Sequence, residues 1–380
     1  MKFIITREQL VNSVQDVMKA VSTRTTIPIL TGIKIEAHED GVTLTGSDSD
    51  ISIERFVPAE EDDHVNVTIE KPGSIVLQAR FFSEIVKKLP DSKIEIEVYD
   101  RFSTHIRSGS SEFNLNGLDP QEYPRLPEVQ ENNRFSIQAD LLKTLIRQTV
   151  FAVSVSETRP ILTGVNWRIE DNELKCVATD SHRLASRSAT VEASSEDMDF
   201  SEVVIPGKSL TELSKILDDS SELIDIILTE SQVLFKAKNI LFFSRLLDGN
   251  YPDTSKLIPN DSKTVMIVST KEFLQAIDRA SLLAKEGRNN VVKLSTMDQD
   301  QVEISSNSPE IGKVFDHVKT ESLEGDELKI SFSAKYMMDA LKAMDCSEVQ
   351  IQFTGAMRPF VLNPIEERSI TQLILPVRTY

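Results

Sequence analysis

The chain repeats itself three times, and this limits what it can fold into more than any single motif does. Phe3 to Val11, Phe135 to Lys143 and Met266 to Leu274 each read as a short alternating strand, a polar residue and the start of a helix. Pro28-Ile-Leu-Thr-Gly32 returns as Pro160-Ile-Leu-Thr-Gly164, 132 positions on (28 to 160). The third unit has Arg288-Asn-Asn-Val-Val at the comparable place and is the most diverged copy. A second signature recurs at Ala79 to Leu89, Gly207 to Leu217 and Ala334 to Met344, each flanked by β-rich runs. Every unit should therefore hold two helices, each introduced by a strand, and several short antiparallel strands, which is an α+β domain.

A single core stops growing well below 380 residues, so three domains are expected. Their limits are expected at 1–130, 131–256 and 257–380, because Asp119 to Pro127 and Asp248 to Pro259 are homologous turn-rich stretches that close the first two units.

With 42 Lys and Arg against 60 Asp and Glu the formal charge is −18, which argues against a protein that coats itself in nucleic acid. The charge is unevenly placed, however. The six expected helices (7–20, 79–89, 140–149, 207–217, 271–280 and 334–344) sum to +5, leaving −23 for everything else. In 79–89 the residues Phe81, Phe82, Ile85, Val86 and Leu89 form an apolar stripe, with Arg80, Ser83, Glu84 and Lys87 on the opposite face. Lys143, Arg147, Lys208, Lys215, Lys335 and Lys342 likewise lie outside the apolar stripes. One solvent-facing lysine is ordinary, but segregation over six helices points to an anionic ligand.

Several classes of function are disfavoured. No stretch approaches the roughly 18 apolar residues of a membrane helix, and the N-terminus lacks a signal-peptide core, so a cytoplasmic protein is expected. Cys176 and Cys346 stand alone, in keeping with buried reduced thiols rather than a disulfide or a metal knuckle. His38, His64, His105, His182 and His317 are scattered, no glycine-rich phosphate loop occurs, and neither metal nor cofactor is expected. Gly46-Ser-Asp-Ser-Asp begins like a calcium loop but lacks the glycine at its sixth position, which favours a strand-to-strand turn. Asp180, Ser181 and His182 are neighbours in one turn, where nucleophile, base and orienter cannot line up, and G-x-S-x-G is absent. That turn is better suited to presenting polar groups at a binding pocket, and no enzymatic activity is expected.

Met1-Lys-Phe, Arg24 ahead of Ile27-Pro-Ile-Leu, Ala178-Thr-Asp-Ser-His-Arg-Leu184, Asp248-Gly-Asn-Tyr-Pro-Asp253 and Leu375-Pro-Val-Arg378 together resemble the bacterial replicative sliding clamps, the β subunits of DNA polymerase III. The similarity runs along the whole chain in one register. It implies three clamp-type domains, two chains closed head to tail into a ring, helices lining the hole and sheets outside. Size agrees: a globule of about 127 residues is roughly 36 Å across, so three in a closed ring leave a gap of about 5 to 6 Å, whereas six leave a hole about one diameter wide. A duplex is roughly 20 Å across, so two chains can encircle it and one cannot.

Net-basic helices inside an acidic exterior would hold duplex DNA without reading sequence. The resemblance makes Arg24 a channel-side loop arginine and puts Arg159, Pro160 and Ile161 on a second DNA-facing loop, where some members carry an aromatic pair instead. It maps a partner-peptide groove onto Leu162, Thr179, Ser181, His182, Arg183, Leu184, Pro252, Lys256 and Leu257, and onto Ser333, Tyr336, Met357, Pro359, Leu375, Pro376, Val377 and Arg378. Ser181 replaces a glycine common in the family, and the tail reads Val-Arg-Thr-Tyr instead of Met-Arg-Leu. Phe113 and Leu115 on an edge strand, with Leu282 and Leu283 at a helix end, are the implied dimer contacts. The implied partners are duplex DNA, the replicative polymerase, the clamp loader, other proteins with a clamp-binding motif and a second copy of the chain, with no membrane. A peptide-binding repeat scaffold that never encircles DNA is the alternative.

Overall fold

The computed structural model describes the chain except for residues 23–24, 127–128, 130–132, 171, 194–201, 260, 285–289, 299, 368 and 379–380. Among the described residues six α-helices are formed: α1 (Arg7–Val17), α2 (Ala79–Lys88), α3 (Ala139–Thr149), α4 (Gly207–Ser214), α5 (Thr270–Ala284) and α6 (Ala334–Met344). Each follows directly on a strand: Lys2–Thr6, Gly73–Gln78, Arg134–Gln138, Glu202–Pro206, Thr264–Ser269 and Lys329–Ser333. The repeated signatures thus fold into the repeated strand-to-helix unit they suggest. Two details differ from the sequence pattern. Phe81 is exposed and Ser83 is buried, so α2 packs through Ala79, Phe82, Ser83 and Val86. α4 ends at Ser214, and Lys215 lies beyond it.

The chain forms two compact units. The first comprises Met1–Asp140, Glu192–Asp199 and Glu212–Leu246, and the second Leu141–Val191, Phe200–Thr211 and Leu247–Tyr380. In the first unit a five-stranded antiparallel sheet runs in the order Ser111–Asn116, Ser103–Ser108, Lys93–Val98, Lys2–Thr6, Val67–Lys71. A nine-stranded sheet in the same unit joins the first repeat to part of the second. Its seam is the pairing of Ile51–Pro58 with Ile240–Arg245, with Ile51 opposite Ser244 and Arg55 opposite Ile240.

The second unit is built the same way. Its nine-stranded sheet has its seam where Arg183–Thr190 pairs with Ile370–Ile374, Arg183 opposite Ile374 and Arg187 opposite Ile370. Its four-stranded sheet has the order Gly312–Lys319, Gln301–Ser308, Val291–Met297, Lys329–Ser333. α5 and α6 pack on these sheets over a core that includes Phe273, Ile277, Phe332, Met337, Phe353 and Phe360. Burying each such side chain contributes roughly 1.5–3 kcal/mol. Sheets that continue from one repeat into the next fix each seam, and the candidate groove lies at the seam of the second unit.

Candidate functional site

In the second unit the turn between Glu173–Thr179 and Arg183–Thr190 carries the Asp180-Ser-His triplet. Ser181 sits in the left-handed region at φ 75°, where a glycine would carry no steric cost. The turn is tied by its own side chains: Asp180 Oδ1 accepts from the His182 and Arg183 amides at 2.9 and 3.0 Å, and Thr179 Oγ1 accepts from the Ser181 amide. This geometry commits the Asp180 carboxylate to the backbone and to Arg183, so no hydrolytic triad is assembled.

Arg183 is 8% exposed and holds the region together. Its Nε donates to Asp180 Oδ2 at 3.1 Å, Nη1 to Asp339 Oδ2 on α6 at 2.7 Å, and Nη2 to the Phe151 carbonyl at 2.6 Å, while its guanidinium lies 4.5 Å from the Tyr336 ring centroid. These donors are engaged within the fold, whereas Arg378 is exposed. Ser333 is similarly structural, since its hydroxyl caps α6 by accepting from the Tyr336 amide.

Beside this frame lies an apolar floor. Val177, Leu184, Val361 and Leu373 form a cluster against which Ile258 and Leu375 pack, and Leu162 is also buried. Leu257 (50% exposed) and Met357 (55%) stand open to solvent, with Pro252, Tyr336, Pro359, Pro376 and Val377 half-buried and Lys256 and His182 exposed. The tail is held by two backbone bonds, Leu375 N–H to the His182 carbonyl at 2.9 Å and Val377 N–H to the Ser331 carbonyl at 2.7 Å. Tyr251 Oη accepts from the Thr179 amide, and burial pushes its phenol above the ordinary tyrosine range, so it stays protonated. The sequence does not single out Val177, Ile258, Val361 and Leu373, because each sits in an apolar run where strand alternation does not tell floor from core.

Of the basic residues, Arg80, Arg147, Arg159, Lys208, Lys215, Lys335 and Lys342 are exposed and Lys143 is half-buried. Arg147 is engaged with Asp345, the left-handed residue that ends α6, at 2.6 Å, and Lys215 with Glu212 at 2.8 Å. Arg159 reaches Ser181 Oγ at 3.5 Å. Arg24 lies outside the described residues.

Phe113 (37% exposed) and Leu115 stand on Ser111–Asn116, the terminal strand of the five-stranded sheet, and Leu282 (64%) and Leu283 lie in the last turn of α5. The terminal strand of the four-stranded sheet adds exposed Phe315 (59%), with Ile311 (58%) just before it. Sequence reading misses both. Val314 and Phe315 are adjacent, and only the first packs on the core. Among the described residues no group of His, Cys, Asp and Glu could hold a metal ion, and no helix is long and apolar enough to cross a membrane.

Three family models match in succession: the N-terminal domain of the DNA polymerase III beta subunit at residues 1–127, its central domain at 136–253 and its C-terminal domain at 255–378. The chain belongs to the DNA polymerase III beta subunit family. It is 68% identical to the beta sliding clamp of Bacillus subtilis and 60% identical to that of Halalkalibacterium halodurans, with both chains covered in full in each case. The crystal structure of the DNA polymerase sliding clamp from Bacillus subtilis superposes with a TM-score of 0.96 over the full length of both chains. Membership accounts for the three α+β clamp domains.

Proposed function

We propose that the chain is a DNA sliding clamp: two copies close head to tail around duplex DNA and tether the replicative polymerase, conferring processivity without an enzymatic activity of its own. The observation that carries this reading is the match of all three repeats, in order and over the whole chain, to the three domains of beta sliding clamps. The domains are taken as 1–130, 131–256 and 257–380, and the site of action as the cytoplasm, on the nucleoid.

Two uncapped sheet edges support closure. Ser111–Asn116 in one unit and Gly312–Lys319 in the other each end an antiparallel sheet and each carry an exposed phenylalanine, Phe113 and Phe315. An apolar open edge is a liability unless another chain covers it, and a heterologous pairing of unlike edges closes into a ring when the rotation permits. Phe113, Leu115, Leu282 and Leu283 are the contacts assigned to that interface.

DNA contact is assigned to Arg24, Arg80, Lys143, Arg147, Arg159, Lys208, Lys215, Lys335 and Lys342. Attraction from so few cations in a chain of −18 is weak and sequence-independent, which suits sliding, while persistence comes from topology. The groove from Leu162 to Arg378 is assigned to short extended peptides of the polymerase, the clamp loader and other replication and repair proteins, with Met357 able to repack around different side chains. Sedimentation tests the assembly: twice the 42.6 kDa chain mass is expected, and a stable single chain at micromolar concentration would overturn it.

A further inference from the structure

The first unit contains a cavity of about 240 Å³ at its own inter-repeat seam, lined by residues that include Ile27, Leu30, Asp50, Arg125, Phe243 and Arg245. Nothing in the function proposed above uses it. Its construction matches that of the groove in the second unit piece by piece. Leu30 and Leu162 are the buried leucines of the two short helices Pro28–Thr31 and Pro160–Thr163, in each of which the closing threonine hydroxyl donates to the proline carbonyl.

The adjoining turns are also the same. Ser49 lies at φ 80° as Ser181 does at 75°, and Asp48 Oδ1 accepts from the Asp50 and Ile51 amides as Asp180 Oδ1 does from those of His182 and Arg183. Buried Tyr123 stands to Thr45–Ser47 as Tyr251 stands to Thr179, each followed by a proline.

The differences define the ligand. At the far wall the strand Ile240–Arg245 ends in Arg245, where the equivalent strand of the second unit leads into Leu375, and Arg125 replaces Asp253 in the segment after the tyrosine. Both arginines are exposed, and among the described residues neither has an ion-pair partner. Among the described lining residues Asp50 is the single carboxylate against the two arginines, so this described part of the mouth is net positive in a chain whose formal charge is −18. Beneath the mouth Leu30 and Phe243 give an apolar floor, and a space of roughly 150 Å³ already accepts a benzene-sized group. Unpaired guanidiniums favour carboxylates, and a concave apolar floor rewards an inserted side chain, which a sugar-phosphate backbone cannot supply.

We propose that this cavity is a second peptide-docking pocket, which takes a short extended segment with one large apolar side chain beside an acidic residue. The proposal rests on the peptide reading of the groove in the second unit, and the test separates the two. Fluorescence anisotropy of the labelled peptide Ser-Leu-Glu-Phe-Asp-Ser is followed with the full-length protein, with a Leu257→Glu/Met357→Glu variant, with an Arg125→Glu/Arg245→Glu variant and with all four changes combined. All four substituted residues are exposed, so folding should survive.

Two sites per chain are expected for the parent and one for each double variant, with the site left by Leu257→Glu/Met357→Glu weakened about tenfold or more when the arginines are also reversed. One site in the parent and none in Leu257→Glu/Met357→Glu would overturn the second pocket and leave the groove standing. No binding to any protein would overturn both. Residual binding indifferent to the arginines, or displaced by a short single-stranded oligonucleotide and not by unlabelled peptide, would also overturn the proposal.

Discussion

Arg183 and Asp339 are joined by a 2.7 Å ion pair that ties the turn of one strand pair to α6, two walls of the candidate groove. Arg183 is buried, and removing it would leave Asp180 and Asp339 facing each other without the guanidinium or its contact with Tyr336. Arg183→Ala should therefore destabilise the protein by about 3–5 kcal/mol and loosen peptide binding. Thermal unfolding together with peptide titration checks this. An unchanged melting temperature would mean that the network carries no weight.

The same pair shows where sequence reading stops. The turn around Asp180 is legible as a polar presenting loop, because its residues are adjacent. Arg183 reads from sequence as a ligand contact, since its two remote partners, Asp339 and the Phe151 carbonyl, come from α6 and from the residues after α3, which no local pattern connects. The repeats announce all six strand-to-helix starts, because a strand of period two that leads into a helix of period 3.6 is a local signal. Phe81 is misassigned for the opposite reason: an adjacent Phe81-Phe82 pair cannot share one helix face, and only packing decides which is buried. Ile311 and Phe315 matter only through their position at a sheet edge, and edge status is a property of the assembled sheet.

Closure of the dimer should depend on few side chains. Leu282→Ala/Leu283→Ala, or Phe315→Asp alone, should give folded monomers, since each apolar side chain removed forfeits roughly 1.5–3 kcal/mol of burial. Sedimentation velocity distinguishes the outcomes. A dimer that persists at nanomolar concentration in both variants would place the interface elsewhere.

Neutralising Arg80, Lys335 and Lys342 to Gln should lower the slope of log affinity against log salt by about 0.9 for each phosphate that is no longer neutralised. Arg147 and Lys215 already hold carboxylates at 2.6 and 2.8 Å, so their substitution should change the slope less. A slope equal to the parent's in the triple variant would mean that these side chains do not face phosphate.

Deleting Pro376 to Tyr380 removes the backbone bond from Val377 to Ser331 and the exposed Arg378, but leaves Leu375 bonded to His182. Peptide binding and polymerase stimulation should disappear while the dimer survives. Full affinity in the truncated, still dimeric protein would remove the tail from the groove.

Cys176 is fully buried in a strand, and desolvation raises its thiol above the ordinary range; partial burial does the same, less completely, for Cys346. Less thiolate is then present at neutral pH than in an unfolded chain. A thiol-reactive dye at pH 7.5 should modify Cys346 slowly and Cys176 only after denaturation. Rapid modification of both in the native protein would contradict the packing around Cys176.

Retention on DNA should be topological: the protein stays on DNA because it surrounds it, and its attraction to phosphate is weak. After loading by a clamp loader onto a nicked circular plasmid, retention should be followed by gel filtration at 0.15 M salt, with and without one cut that linearises the plasmid. Stable association with the circle and release within the run from the linear form are expected. Equal retention on both, or equal loss from both, would mean that the protein is not held by encircling the duplex.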